Sequence, residues 1–300
     1  VLQHGLTFRN YGEFTSGVVP SGASWSDIYN DYLSGAHSIL ITNTMPLAPL
    51  RPYTSTNVPG WNLNIPDVVR GYGFIKELNA AQARGSWETF HFLWLGDDHT
   101  GGTPPARAQV ADNDLTLGQV VEAVTKSIFG STTAIFVIED DPQSGYDHVD
   151  GHRSICLVIS PYTKRHQVIS AFYNQAGLVH TVERIMGLPP MNQGDAMAPL
   201  MFDCFTNTPD FTAYTALPNN IDLATGGTAA LSAKARYYAK KVQKMDFSQP
   251  DRINDDIFNR YIWHSIKGDA RYPSEFVGAH GKGLKKLGLV LAKTQKDDDD

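Results

Sequence analysis

The sequence has few of the features that mark membrane, nucleic-acid-binding and disulfide-rich proteins. No apolar run approaches the roughly 18 residues that a membrane-spanning helix needs. With 25 basic against 31 acidic residues, the formal net charge is −6, which argues against a nucleic-acid partner. The two cysteines, Cys156 and Cys204, lie among apolar residues and are predicted to be buried and unpaired. The absence of these features favours a folded enzyme or binding domain without a membrane span.

The chain does contain a regular alternation of helical and strand patterns. Its 300 residues, 42% of them hydrophobic, suit one large α/β domain, alone or with an appended subdomain. Pro66 and Gly85 are predicted to bracket one helix, and Gly187 is predicted to end another that starts near Gly177. Between these helices, Asp112 or Asp114 is predicted to cap a further helix. The alternation predicts a sheet with helices on its faces.

An unusual density of acidic and imidazole groups lies between two apolar runs, TAIFVI and SICLVIS. Both runs are rich in β-branched residues and predict strands that are covered on both faces. Carboxylates crowded at such strand ends repel one another, and a divalent cation would remove that penalty. The segment therefore predicts a metal site, formed from among these residues: Glu139, Asp140, Asp141, Asp147, His148, Asp150 and His152.

A second strand pattern, FHFLWLG, ends in Asp97, Asp98 and His99. If the strands are neighbours, their acidic ends converge on one rim of the sheet. Oxygen and imidazole ligands suit Zn²⁺ or Mn²⁺, and the excess of carboxylates leaves Ca²⁺ or Mg²⁺ open. Two such cations form the clamp used for displacement at phosphorus. For His148, a catalytic role and an ordinary loop position are equally supported.

Several motifs together resemble a known family. The order of a strand-end Asp, a helix, TAIFVIEDD and a His that opens a strand is similar to the alkaline phosphatase superfamily. More closely, FRNYGEF, GDDHTGG, IEDDPQSGYDHVDGHR, LVISPYTKR and ERIMGLPPMNQGDAMAPLMFD resemble the bacterial phosphoesterases related to phospholipase C and acid phosphatases. The resemblance implies an alkaline phosphatase-like central, mainly parallel sheet flanked by helices, two divalent metal ions, a periplasmic or extracellular location and, in many members, an N-terminal β-propeller.

The resemblance also assigns roles to individual residues. Asp98 matches the strand-end metal aspartate, Asp140 the first member of an Asp-His pair, and His152 the final metal histidine. Asp141 stands where many superfamily members have histidine. His99 adjoins Asp98 and is either a metal ligand or a residue that positions a metal ligand. Asp97 stands where the family pattern has asparagine.

The resemblance places the family's nucleophile and first metal aspartate upstream of FRNYGEF. We therefore expect residues 1–222 to be the C-terminal part of a catalytic domain, incomplete at its N-terminus, and residues 223–300 to be a helical extension with an acidic tail. The expected function is metal-dependent hydrolysis of phosphate esters, with little activity from this chain alone. The alternatives are a phospholipase C-like phosphodiesterase and a non-catalytic metal-binding or structural domain.

Overall fold

The strands form three two-stranded sheets in the computed structural model, which describes residues 1–101, 104–140, 153–223, 231–247 and 252–272. β1 pairs with β4 in parallel, whereas β2 with β3 and β5 with β6 are antiparallel. The strands are β1 (Phe8–Tyr11), β2 (Ser16–Val18), β3 (Thr42–Thr44), β4 (Phe90–Leu93), β5 (Ile135–Ile138) and β6 (Cys156–Ile159). The predicted mixed α/β class is confirmed, and within the described ranges one strand pair is parallel.

Seven α-helices lie in the same described residues: α1 (Trp25–Ser34), α2 (Asp67–Arg84), α3 (Ala106–Lys126), α4 (Gln175–Met186), α5 (Gln193–Ala196), α6 (Ala233–Val242) and α7 (Asp255–Lys267). The predicted ends of α2 and α4 are confirmed, because Gly85 and Gly187 take left-handed φ values of 70° and 69° there. No helix in these ranges is both long enough and apolar enough to cross a membrane.

The predicted start of α3 is wrong. The helix begins at Ala106, directly after Pro105, and not after Asp112 or Asp114. Proline has no backbone N–H to leave unpaired, and its φ of −57° already suits a helix. Asp112 therefore lies inside α3, where its side chain is free to serve a different helix.

The largest core lies between α2, α3 and β1. Its members are apolar side chains that are nearly or completely buried: Tyr11, Val58, Phe74, Leu78, Val120 and Val124. A second cluster joins Trp25 of α1 to Val68 of α2 and Ala108 of α3. A third packs α6 and α7 against the start of α3 at Ala106. Helix α3 therefore touches all three cores and is the central element of the described structure.

The expectation that β5 and β6 are covered on both faces is wrong. Ile138 in β5 is 38% exposed and Leu157 in β6 is 43% exposed. Cys156, predicted to be buried, is exposed as well, while Cys204 is buried and both thiols are free. In the described ranges these strands pair only with each other, so no neighbouring strand covers their apolar side chains.

Alanine is expected to have opposite effects at two glycines inside helices. A Cβ on Gly73 of α2 would lie 2.2 Å from the carbonyl oxygen of Asn57, so Gly73→Ala should cost about 1–3 kcal/mol of stability. A Cβ on Gly118 of α3 would meet the Ala216 Cβ at an ordinary 3.5 Å, so Gly118→Ala should gain about 0.5–1 kcal/mol from helix propensity. Urea denaturation measures both. A Gly73→Ala variant as stable as the wild type would contradict this helix packing.

Candidate functional site

Acidic side chains follow three strand ends, and electrostatic repulsion links them in pairs. Glu13 follows β1, and Asp98 follows its parallel partner β4. Charge repulsion from Glu139, which follows β5, helps to raise the pKa of Asp98. Repulsion from Asp140 helps to raise the pKa of Glu13. The four side chains Glu13, Asp98, Glu139 and Asp140 form what we call the strand-end rim.

Asp98 is the most perturbed member of the rim. Burial is the largest cause of its raised pKa of about 7, and repulsion from Asp67 and Glu139 adds to the effect. The backbone N–H of His99 donates to Oδ1 of Asp98 at 3.1 Å, which lowers the pKa in part. A carboxyl group that holds its proton near neutral pH would exchange that proton for a nearby cation.

Two strained residues border the rim. Phe14, next to Glu13, has a φ of 57°, and Thr100, next to His99, has a φ of 56°. Positive φ is costly for residues other than glycine, and for β-branched threonine in particular. Such strain persists only where the surrounding structure holds it, and it is most common at functional sites. The backbone on both sides of the rim is therefore held in a defined shape.

A buried glutamine fixes the loop that carries Asp98. The Gln109 side chain of α3 accepts a hydrogen bond from the N–H of Gly101 at 2.7 Å and donates to the carbonyl of Gly101 at 3.0 Å. The ring of His99 lies at 90° to the Trp61 ring, with centroids 5.0 Å apart. These contacts hold the Asp98–His99 loop against α3 and restrict its motion.

A second acidic group surrounds the side chain of Arg70. Asp67, Asp97, Asp112 and Arg70 are all completely buried. The Arg70 Nη1 lies 2.8 Å from Oδ1 of Asp67 and 3.6 Å from Oδ1 of Asp97. The remaining guanidinium hydrogens point to backbone carbonyls of the 59–65 segment. We call these four residues the buried cluster.

The hydrogen-bonding capacity of Asp67 is fully used. Its Oδ1 accepts from Arg70 at 2.8 Å and from the N–H of Gly96 at 3.1 Å. Its Oδ2 accepts from the N–H of Asp97 at 2.9 Å and from the amide of Asn113 at 3.0 Å. Asp67 thereby anchors the turn that positions Asp98.

The other two acidic residues of the buried cluster are Asp112 and Asp97. The Asp112 carboxylate accepts from the N–H groups of Asp67 and Val68, so it caps the N-terminus of α2 from the neighbouring helix. Burial raises the pKa of Asp112 to about 7. Burial and repulsion from its two acidic neighbours raise the pKa of Asp97 well above its usual range, and the two carboxyls hydrogen-bond to each other. The raised pKa favours the protonated form of Asp97, which can donate to Asp112.

The buried cluster could hold a metal ion, since one ligand atom from each of Asp67, Asp97 and Asp112 lies within 4.8 Å of the others. The hydrogen bonds of the cluster fit a proton on Asp97 better than they fit a metal ion. Asp67 already accepts four donors, and Arg70 supplies the positive charge that a cation would bring. A metal would have to displace Arg70 from a completely buried site.

An Asp97→Asn variant separates these two interpretations. Its amide can donate to Asp112 and accept from the Trp25 indole, which now donates to Asp97 at 3.1 Å. Protonated Asp97 takes up its proton on folding, so wild-type stability should fall as the pH rises from about 4 towards 8. We expect the variant to match the wild type near pH 4, to be more stable at pH 8 and to have a flatter profile, measured by urea denaturation. Lower stability than the wild type at pH 8, with loss of a bound cation, would support the metal interpretation.

The predicted site residues are divided between described and undescribed parts of the chain. Asp98 and Asp140 both belong to the strand-end rim, and His99 adjoins it. Asp140 is exposed, and its carbonyl accepts a hydrogen bond from the Gln175 side chain of α4. The other predicted site residues lie outside the described residues: Asp141, His148 and His152.

The sequence did not reveal Glu13, Asp67 or Asp112 as parts of an acidic site. Glu13 follows a strand of only four residues, FRNY, whose pattern is too short to recognise. Asp67 and Asp112 have the positions of ordinary helix caps, and Asp112 does cap a helix, although not its own. Nothing in the local sequence indicated that α2 and α3 bring these side chains together.

No protein-family model and no curated protein matches the chain. The functional assignment therefore depends on the geometry of the strand-end rim and the buried cluster.

Proposed function

We propose that this chain supplies metal-binding residues of a phosphate-ester hydrolase with an alkaline phosphatase-like fold. The observation that carries the proposal is that Glu13, Asp98 and Asp140 follow strand ends and that burial and like charge raise the pKa of Glu13 and Asp98. Carboxylates in this situation favour a bound cation, since it offsets their repulsion. The motifs that resemble the bacterial phosphoesterases support the choice of reaction.

Asp98 and Asp140 are the proposed metal ligands of the rim, with His99 as a ligand or its support. The resemblance adds Asp141 and His152. Carboxylate and imidazole donors suit two Zn²⁺ or Mn²⁺ ions, and Ca²⁺ or Mg²⁺ would accept the carboxylates alone. Bound divalent cations would supply stabilisation of the charge that develops on the phosphoryl oxygens and activation of the attacking oxygen.

The protein's own contribution is a rim that is rigid before substrate arrives. Asp67 fixes the turn ahead of Asp98 through the N–H groups of Gly96 and Asp97. Gln109 fixes the loop after it through both polar groups of Gly101. Ligands held on both sides need little reorganisation when charge develops, and electrostatic preorganisation of this kind is the largest contribution in many hydrolases.

One observation favours a different class of function, a structural domain. Asp67 and Asp112 are engaged by hydrogen bonds within the protein, and the raised pKa of Asp97 favours a proton there, so the buried cluster does not require a ligand. That explanation covers Asp67, Asp97 and Asp112 but not the exposed Asp140 or the half-buried Glu13. We therefore restrict the catalytic proposal to the strand-end rim.

Hydrolysis by the full-length native protein, with any residues that precede this chain, tests the proposal. After dialysis against a chelator, it is assayed with Zn²⁺, Mn²⁺ or Ca²⁺ on p-nitrophenyl phosphate and on bis-p-nitrophenyl phosphate. We expect turnover that disappears on chelation and returns with one of the cations. Turnover of the diester alone would select the phospholipase C-like alternative. Absence of turnover with both esters and all three cations would leave the structural domain as the better interpretation.

A further inference from the structure

A cavity of about 570 Å³ lies between α6 and α7, away from the residues discussed so far. Its volume is in the range of pockets that bind small molecules. Its walls combine positive charge with aromatic rings, and the residues that matter for binding are Lys234, Tyr237, Tyr238, Arg260, Arg271 and Tyr272.

The charge of this cavity is opposite to that of the chain. Lys234, Arg260 and Arg271 line it, together with His264, and no acidic side chain is among its lining residues in the described part of the chain. The protein as a whole carries a formal charge of −6. A concave surface with several cations and no lining carboxylate concentrates positive potential and attracts anions.

The cations are held in place by contacts with neighbouring residues inside and outside the cavity lining. Lys234 Nζ donates to the carbonyl of Asp269 at 3.2 Å. The Arg260 Nε donates to Asp256 at 3.0 Å, and its guanidinium carbon lies 4.5 Å from the centre of the Tyr272 ring. The guanidinium also hydrogen-bonds to Tyr238, and its remaining terminal N–H groups match the oxygens of a phosphate or carboxylate.

The aromatic walls are equally ordered. The Tyr238 ring stacks on the imidazole of His264, with centroids 5.5 Å apart and planes 10° apart. The Tyr237 ring meets the Tyr238 ring edge to face at 5.1 Å. His264 is itself buried and its Nδ1 lies 2.7 Å from the carbonyl of Gly268. Rings fixed in this way offer flat apolar surface at little entropic cost.

We propose that this cavity binds a small anionic molecule that carries a planar ring, with its phosphate or carboxylate against Lys234 and Arg260 and its ring against the tyrosines. The ligands that fit this description have in common a group with one or two negative charges attached to an aromatic ring. The site is separate from the strand-end rim, and the proposal does not depend on the phosphoesterase function.

Calorimetric titration of the native protein with phenylphosphonate tests the proposal. Phenylphosphonate has no ester bond to hydrolyse, so the result does not depend on catalysis at the rim. We expect saturable binding that weakens with added salt, and weaker binding of methylphosphonate, which lacks the ring. A matched phenylcarboxylate, benzoate, shows whether a phosphonate or a carboxylate is preferred.

Two lysines of α6 provide a matched pair of variants. Lys234→Gln removes a charge that lines the cavity, whereas Lys240→Gln removes one from an exposed position of the same helix that does not line it. Loss of one charge-assisted hydrogen bond should weaken binding by about tenfold in Lys234→Gln. Lys240→Gln should change it by less than about twofold.

Arg260→Lys is the second variant, because it retains a charge but loses the paired terminal nitrogens of the guanidinium. It should also weaken binding, while thermal unfolding confirms that each variant is folded. The proposal is overturned if phenylphosphonate shows no saturable binding below about 10 mM. Equal losses of affinity in Lys234→Gln and Lys240→Gln would overturn it too, since they would indicate only a general effect of charge.

Discussion

Replacing Asp98 by asparagine in the native protein is expected to lower metal-dependent turnover of phosphate esters by roughly 100- to 1000-fold. The amide keeps the shape of the carboxyl but has no charge, so a cation at the rim loses a ligand. It also removes the repulsion from Asp67 and Glu139 that adds to the effect of burial in raising the pKa of Asp98. The metal content of the protein after dialysis should therefore fall together with the rate.

Asp114→Asn is the control for this experiment. Asp114 lies on an exposed position of α3 and its replacement removes the same charge. We expect its turnover to stay within about twofold of the wild type, because exposed charges away from a site have small effects. Unchanged turnover and metal content in Asp98→Asn would contradict a role for Asp98 as a ligand.

Replacing Asp112 by alanine is expected to lower the free energy of unfolding by about 3 kcal/mol. The loss of the cap at the N-terminus of α2 costs about 1 kcal/mol, and a buried N–H left without an acceptor costs about 1–3 kcal/mol more. Removal of a desolvated carboxyl offsets part of this loss. Urea denaturation measures the change, which should be greater than that of any exposed substitution on α3.

Asp114→Ala again provides the comparison, since both residues lie on α3 and differ chiefly in burial. Its effect should remain within about 0.5 kcal/mol. Equal stability of the two alanine variants would mean that Asp112 does not cap α2. In that case the buried cluster would need another explanation.

Helix ends could be predicted wherever a single residue determines them. Gly85 and Gly187 are such residues, because their left-handed backbone stops a helix regardless of its surroundings. The start of α3 could not be located in the same way. Asp112 has the chemistry of a cap but is engaged with a different helix, and only the packing of α2 against α3 decides between the two uses.

The sequence predicted that the candidate site is acidic, but it did not identify all of the residues that form it. Asp98 and Asp140 follow recognisable apolar strands, so the sequence identified both as strand-end acids. It did not predict the strand pairing, since in the described residues β4 and β5 belong to different two-stranded sheets. Glu13 joins them because β1 pairs in parallel with β4, and pairing between distant strands cannot be read from local pattern. The exposure of β5 and β6 was also missed, since apolar content predicts what a strand can bury and not whether another element covers it.

The parallel pairing of β1 with β4 has a consequence for the order of folding. The hydroxyl of Thr7 accepts from the N–H of Thr89, 82 residues further along the chain, at the edge of this pair. Contacts this far apart form slowly, because closing a long loop costs entropy before any pairing repays it. Helices α1 and α2 lie within that loop, and their backbone hydrogen bonds join residues close in sequence. During refolding, helical circular dichroism should therefore recover first, and the geometry that brings Glu13 to Asp98 should appear only in a later kinetic phase.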